Sequence, residues 1–277
     1  MIRERIADNT YWFQSEIYAQ VTAGAIIGPE WAILVDSMAV PDETLEIRAF
    51  IEDTLEVPVR YIINTIYHAD HTFGNCFFPG TTIISHELCR QLICEKNSET
   101  LQNVTSQDPS FGKISIIPPD VTFESGSLTI RIGKRHVRIY STPGASPDGI
   151  SVFVKEDRVL FAGDAFLPLP NIVEGDGETL IKTITAFGEM SLENIVQGHG
   201  DVILRGEVEH AVENNIEYLR KIQKVVQIAV KHKDPKKILT EATVEACGKS
   251  RVLLGGMVEG LHNRNLFHLF KQAQENQ

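Results

Sequence analysis

The chain has 277 residues, a length that suits one large α/β domain or two small ones. Hydrophobic residues make up 43% of the composition and charged residues 23%, as is ordinary for a soluble globular protein with a substantial core. The formal net charge is -11. Because no basic cluster stands out, we expect no nucleic-acid partner.

Targeting and membrane signals are not recognisable in the sequence. Residues 1–8 contain no long apolar run, so they do not indicate a signal peptide. No stretch approaches the roughly 18 consecutive apolar residues of a membrane helix, and we expect no membrane partner. The cysteines at 76, 89, 94 and 247 form no CxxC pair and do not indicate a disulfide framework. We therefore expect a cytoplasmic protein with reduced cysteines.

The first part of the chain indicates strands followed by a helix. Residues 17–27 and 31–36, separated by a Gly-Pro-Glu turn, predict a β-hairpin. Apolar residues near helical spacing predict a helix over 41–55, with proline at its start. Residues 57–65 then predict a buried strand. This order suggests that helices pack outside sheets.

The middle of the chain alternates between short apolar segments and turns. A strand over 81–85 and a helix over 86–95 are predicted, and the polar segment 101–110 predicts a surface loop. Five further short strands are predicted at residues 114–117, 128–130, 137–140, 150–153 and 158–162.

The last part of the chain is mostly helical by prediction. A strand over 193–197 precedes a long amphipathic helix over 207–231, and a helical tail begins near Asp234 and Pro235. We predict a main domain over residues 1–232 and a helical C-terminal extension over 233–277 that packs on the same domain. The tail could be a lid, packing or a dimerisation element. We favour packing or dimerisation, so a homodimer is one expectation.

Three segments rich in potential metal ligands each follow a predicted strand. They contain His68, Asp70 and His71, then Asp164 after Gly163, and His199 between two glycines. Loops after strands are where rigid sheets present functional groups, and glycine lets the backbone approach closely. Imidazole and carboxylate together suit zinc, iron or manganese. A purely structural alternative is that Asp70 caps a helix beside a surface histidine. For His68 three roles stay open, as a metal ligand, as a residue that supports a ligand, or as a packing residue.

These motifs resemble the metallo-β-lactamase superfamily over roughly residues 10 to 230. The resemblance implies an α/β fold, a four-layer αββα sandwich with a metal site at one edge. The superfamily pattern consists of an HxHxDH loop, a histidine in a proline-glycine turn, an aspartate after a strand and a final histidine between glycines. In the superfamily two metals usually share a hydroxide that attacks an ester, thioester, amide or phosphodiester.

Carried over onto this chain, the resemblance implies one complete metal site and one degenerate site. Ile66 and Ala145 stand where the first site has histidines, so His68 alone remains and we predict that this site is empty. The second site keeps its own ligands Asp70, His71 and His199, and Asp164 matches the carboxylate that normally bridges both metals. His68 faces the vacated side, where it could position water, act as a base or join the ligands. The predicted ligands are therefore His68, Asp70, His71, Asp164 and His199.

The resulting hypothesis is a hydrolase that uses one divalent ion, zinc before iron or manganese, on a small-molecule substrate. The ion would activate water. Asp70 and His68 are the predicted catalytic residues, Asp70 orienting that water and His68 accepting or relaying a proton. Two alternatives stay open, a mononuclear iron enzyme with oxygen chemistry and a non-catalytic binding member of the fold.

Two segments near this constellation have less certain roles. Residues 174–178 predict a solvated loop, although their position after the Asp164 strand could place them at the mouth of the site. Asp148 lies in the turn that contains Ala145, near the vacated position, and could rebuild the first site.

His262 and His268 fall on a helical pattern in the tail and are expected to pack.

Overall fold

Two mixed β-sheets occupy the centre of the protein in a computed structural model that describes residues 1–275. The first sheet contains seven strands in sequential order, β1 (Ile2–Ala7), β2 (Thr10–Gln14), β3 (Thr22–Ile27), β4 (Ala32–Val35), β5 (Val59–Ile63), β6 (Thr82–His86) and β7 (Val121–Phe123). The second sheet has the order β13-β12-β11-β10-β9-β8, formed by β8 (Ser127–Ile132), β9 (Arg135–Ser141), β10 (Ile150–Val154), β11 (Val159–Gly163), β12 (Asn194–Gln197) and β13 (Ile203–Leu204).

Helices cover both outer faces of the paired sheets. The α-helices are α1 (Pro41–Ala49), α2 (Ala69–Thr72), α3 (Glu87–Gln107), α4 (Gly177–Gly188), α5 (Val208–Lys231), α6 (Pro235–Glu241) and α7 (Val258–Glu275). A π-turn over Phe50–Thr54 extends α1, and short 3-10 turns span Phe73–Phe77, Pro109–Lys113 and Leu253–Gly256.

Alternation along the strands builds the layers. In β4, Ile33 and Val35 belong to the core between the two sheets, whereas Leu34 faces the core shared with α1. In β11, Phe161 points into the core between the sheets and Leu160 points toward α4 and α5. Successive strand residues face opposite sides, so each sheet is buried on both faces. The predicted four-layer αββα sandwich is confirmed.

Two local predictions are confirmed and two are wrong. Strands β3 and β4 pair antiparallel as the predicted hairpin, and the long helix α5 begins and ends close to its predicted limits. The prediction of a loop over 101–110 is wrong for residues 101–107, because α3 continues to Gln107. Leu101 of this helix packs beside buried Phe73. The strand predicted over 114–117 is also wrong. This segment is assigned no strand, and Ile114 is buried in the same side-chain cluster as Phe73.

The tail is helical and packs on the long helix α5. The hydroxyl of Tyr218 on α5 lies 3.0 Å from Nδ1 of His262 on α7. The amide of Asn265 donates to the Pro170 carbonyl at 2.7 Å. His262 is buried, so its predicted packing role is confirmed. The predicted domain limit at residue 232 stays a prediction. Within residues 1–275, no helix has both the length and the apolar character needed to cross a bilayer.

Candidate metal centre

The predicted ligands meet where parallel strands of both sheets end. Strands β4, β5 and β6 run parallel in the first sheet, as do β11 and β12 in the second. The loop containing His68, Asp70 and His71 follows β5, Asp164 follows β11, and His199 follows β12. The carboxyl ends of parallel strands open at one sheet edge, which is where such folds collect functional groups.

Backbone contacts fix the loop that follows β5. The amide N–H of Ser37 donates to the His71 carbonyl at 3.0 Å, and the Asn64 side chain donates to the same oxygen at 3.3 Å. From α3, the Asn97 amide donates to the Tyr67 carbonyl at 3.0 Å. Helix α2 starts directly after His68, so Asp70 and His71 lie in its first turn. The loop is therefore fixed by hydrogen bonds from the ends of β4 and β5 and from α3.

The side chains of four predicted ligands converge. One potential ligand atom from each of Asp70, His71 and His199 lies within 4.8 Å of the other two. Nε2 of His199 lies 3.4 Å from Asp70 Oδ2 and 3.8 Å from Asp164 Oδ1, and His71 Nε2 lies 3.3 Å from Asp164 Oδ1. Metal bonds of 2.0–2.2 Å in a tetrahedral shell place donors roughly 3.3–3.6 Å apart. The spacing of the four groups therefore fits one small divalent ion.

A second contact orients each imidazole. Nδ1 of His71 lies 2.9 Å from Asp36 Oδ2, and Nδ1 of His199 lies 2.9 Å from the Ala19 carbonyl oxygen. A carbonyl or carboxylate accepts a hydrogen bond, so each Nδ1 carries the proton and each Nε2 keeps a free lone pair. This arrangement is usual for histidines that bind metals. Sequence reasoning missed Asp36, which carries no signal beyond its place at the end of β4.

Among residues 1–275, two buried atoms at the centre of this cluster, although 3.3 Å apart, form no hydrogen bond of acceptable geometry with each other or with another group. They are His71 Nε2 and Asp164 Oδ1. Leaving a buried polar atom unpaired is costly, so native proteins rarely do it without a ligand. The backbone of Gly198 approaches them so closely that an added Cβ would lie 2.2 Å from Asp164 Oδ1. The donor set and its unpaired atoms fit a bound metal ion.

The electrostatics of the site favour a cation. Although burial opposes ionisation, hydrogen bonding to His199 and the neighbouring imidazoles lower the pKa of Asp70 to about 2. Burial likewise disfavours the charge of Asp164, but His71 and His68 hold the pKa of its carboxyl well below the usual range. The pKa of His71 is raised, against burial, by Asp36 and Asp164. Ionised carboxylates thus surround the imidazoles, and a divalent ion would be attracted by the same field.

The loop at 174–178, predicted as solvated, contributes Glu174 to this site. Nε2 of His68 lies 3.1 Å from Glu174 Oε2, and its Nδ1 lies 3.4 Å from Asp164 Oδ2. The Tyr67 hydroxyl donates to the same Glu174 oxygen at 2.6 Å. Burial opposes protonation of His68, yet Asp164 and Glu174 raise its pKa to about 10. His68 is thus set between two carboxylates, slightly apart from the four converging groups.

The fold and the site agree with a comparison of the sequence with known families. A family model described as the metallo-β-lactamase superfamily matches residues 19–209, most of the chain. The chain belongs to the metallo-β-lactamase superfamily. Superfamily members bind metal ions, and the converging side chains form a possible His/Asp metal site of this kind.

Individual superfamily relatives are distant. A Caenorhabditis elegans protein named "Beta-lactamase-like protein 2 homolog" is 21% identical over 64% of this chain and 54% of its own length. A Dictyostelium discoideum protein named "Glyoxylase B2" is 28% identical over 43% of this chain and 40% of its own. The chain thus spans about half or less of these curated relatives. A solved metallo-β-lactamase family protein from Thermus thermophilus superposes with a TM-score of 0.67 at 16% identity, covering 97% of this chain and 94% of that one. This likeness shows the fold.

The two residues that stand where the superfamily's first site has histidines are buried in apolar clusters. Ile66 is buried beside Cys89 and Ile93 of α3, and Ala145 packs in the core under α4. Asp148 does not stand in for them, because its Oδ2 accepts the Tyr67 N–H at 2.8 Å and its Oδ1 accepts the Ser146 hydroxyl. Asp148 is therefore used to fix the loop. These contacts support the prediction that the first site takes no ion.

Proposed function

We propose that this protein is a metal-dependent hydrolase that uses a single divalent ion, zinc before iron or manganese, on a small-molecule ester, thioester, amide or related bond. The observation that carries the proposal is the pair of unpaired buried atoms, His71 Nε2 and Asp164 Oδ1, in a cluster with Asp70 and His199. A divalent ion there would lower the pKa of a water molecule and polarise the scissile group. The superfamily and the name of the Dictyostelium relative agree with a hydrolase.

The exposure of the ligand groups indicates from which side a substrate would enter. The side chains of His71 and Asp164 are 0% and 6% exposed, whereas those of His68 and Asp70 are 25% and 18% exposed. The ion would therefore be closed off on the side of His71 and Asp164. Substrate and water would approach over Asp70 and His68, and we propose that Asp70 orients that water.

His68 has the contacts of a proton relay. Its two ring nitrogens lie 3.4 Å from Asp164 Oδ2 and 3.1 Å from Glu174 Oε2. With its pKa raised to about 10, His68 is protonated near neutral pH, so a proton given up on the Asp164 side can be replaced from the Glu174 side, where the carboxylate is exposed to solvent. We propose that His68 moves protons between the reacting group and Glu174. Within this proposal His68 is a catalytic residue and stays outside the ion's ligands.

Elemental analysis with single-site variants tests the ligand assignment. About one tightly held ion per chain is expected in the unaltered protein. His199→Ala and Asp70→Ala should lose that ion together with hydrolysis of a chromogenic ester and thioester, because each removes one of four ligands. His136→Ala is the matched control, since His136 is exposed and pairs only with Glu156 on the surface.

The His68 assignment has its own variant. His68→Ala should keep about one ion per chain and lose hydrolysis by a factor on the order of 10² to 10⁴, the usual contribution of a proton-transfer group. Loss of the ion in His68→Ala would instead make it a ligand. Loss of activity in His199→Ala with the ion retained would contradict the assignment of His199 as a metal ligand. Bound iron with oxygen consumed alongside substrate would contradict hydrolysis.

A further inference from the structure

A second cavity lies beside the metal centre and contains none of its proposed ligands. Its volume is about 620 Å³, within the range of small-molecule sites. It lies between the segment after β12, the first turns of α5 and residues 248–254. Part of its lining is apolar, formed by Phe166, Leu167 and Leu254, and the remainder includes a lysine and several amides.

Lys249 is the distinctive group of this cavity. The residue is only 8% exposed, and within residues 1–275 its ammonium has one protein acceptor, Oδ1 of Asn215. That amide is itself fixed, because its Nδ2 donates to the Leu167 carbonyl at 3.0 Å. An ammonium has three donors. In the described part of the chain no carboxylate lies within ion-pair distance of Lys249, so a charge on this amine has no counter-ion there.

The acidic residues that share the cavity do not supply this counter-ion. Oδ1 of Asp201 accepts from the Gln14 side chain at 3.2 Å, and Oε2 of Glu207 accepts from the Leu204 N–H at 3.0 Å. Both residues are exposed, as is His210. Burying an unpaired charge is expensive, and native proteins usually compensate it with a partner or a ligand. Residues 1–275 therefore leave the Lys249 amine open to an anionic ligand.

We propose that this cavity binds a small organic carboxylate, with its anionic group on the Lys249 amine and its apolar part against Phe166, Leu167 and Leu254. The side-chain amide of Asn215 holds the amine in place. The apolar part is assigned to this side because the three hydrocarbon side chains border the cavity. This site is distinct from the metal centre, and it does not depend on the proposed hydrolase function.

Calorimetric titration with hexanoate tests the proposal, with hexanamide as the uncharged analogue of the same shape. The titrations use the full chain after removal of metal by a chelator, so that the carboxylate cannot bind at the metal centre. Hexanoate should bind the unaltered protein at least about tenfold more tightly than hexanamide, as expected for a charged hydrogen bond. Lys249→Met should remove that advantage. Lys224→Met is the matched control, because Lys224 is an exposed lysine of α5 that does not line the cavity.

A measurement on the unaltered protein guards against a Lys249→Met variant that fails to fold. Acetic anhydride labelling, read by peptide mass spectrometry, gives the reactivity of each lysine. Saturating hexanoate should slow acetylation of Lys249 severalfold and leave that of the exposed Lys224 unchanged. The proposal is overturned if hexanoate does not bind metal-free protein, if hexanamide binds equally well, or if hexanoate leaves Lys249 labelling unchanged.

Discussion

Replacement of Lys249 by methionine should change how the free energy of unfolding depends on pH. Burial lowers the pKa of Lys249 from 10.5 to about 7 in the folded protein. Between these values the unfolded chain binds more protons than the folded one, so the lysine's contribution to stability rises with pH. Lys249→Met lacks this contribution. The stability of the unaltered protein relative to Lys249→Met should therefore rise as pH increases from neutral toward 10.

The magnitude follows from the two pKa values. The burial penalty of the charge is fully present below the folded pKa and disappears as pH rises through the unfolded pKa, at about 1.4 kcal/mol per pH unit in between. From pH 7 to pH 9 the difference between the two proteins should shift by about 2 kcal/mol in favour of the unaltered chain. Subtracting the variant cancels the titration of groups that the two proteins share.

Urea unfolding at pH 7 and pH 9, in chelator and without carboxylate buffers, measures this shift. Circular dichroism follows the helices and tryptophan fluorescence follows the sheets, since Trp12 lies in β2. Lys224→Met should show no comparable shift, because Lys224 is exposed on α5. A difference between the unaltered protein and Lys249→Met that is the same at both pH values would refute the reasoning that Lys249 is a buried, uncompensated amine.

Further predictions concern the metal centre. Asp36→Asn should weaken metal binding about 10- to 100-fold by disturbing the orientation of His71, as measured by competition with a chromophoric chelator; unchanged affinity would show that Asp36 is dispensable. Gly198→Ala should abolish metal binding, because the new Cβ would lie 2.2 Å from Asp164 Oδ1. Gly206→Ala is its control, with no heavy atom within 4 Å of the added carbon. Removal of the ion by chelator should lower the melting temperature of the unaltered protein, because the ion binds only the folded state. The same treatment should leave that of Gly198→Ala unchanged.

The sequence predicted the fold class and several strands because their signals are local. A buried strand followed by a loop with His68, Asp70 and His71 is visible without coordinates, and so is the alanine at 145 where the superfamily has histidine. The extent of α3 was not predictable from composition. Its polar second half is held by tertiary contacts, such as the hydrogen bond from Asn97 to Tyr67. Tertiary context of this kind overrides helix propensity.

Supporting residues of the site were beyond sequence reasoning for a different reason. Asp36, Glu174 and Lys249 are single charged residues in ordinary surroundings along the chain. Their roles arise only because distant segments approach them: His71 approaches Asp36, His68 approaches Glu174, and helix α5 encloses Lys249. A lone carboxylate or amine carries no periodic or spacing signal, so only the folded arrangement distinguishes it from surface residues.

The two sheets are joined at the turn that contains His199. The N–H of Thr22 donates to the Gly198 carbonyl at 2.9 Å, and Val21 pairs with His199. Asp70 and His71 come from the first half of the chain, Asp164 and His199 from the second. An ion held by all four would close a very long loop and so lower the entropy of partly open states. Backbone hydrogen exchange at the Thr22–Gly198 contact should therefore be slowest when the ion is bound, because the ion would link the two halves of the chain.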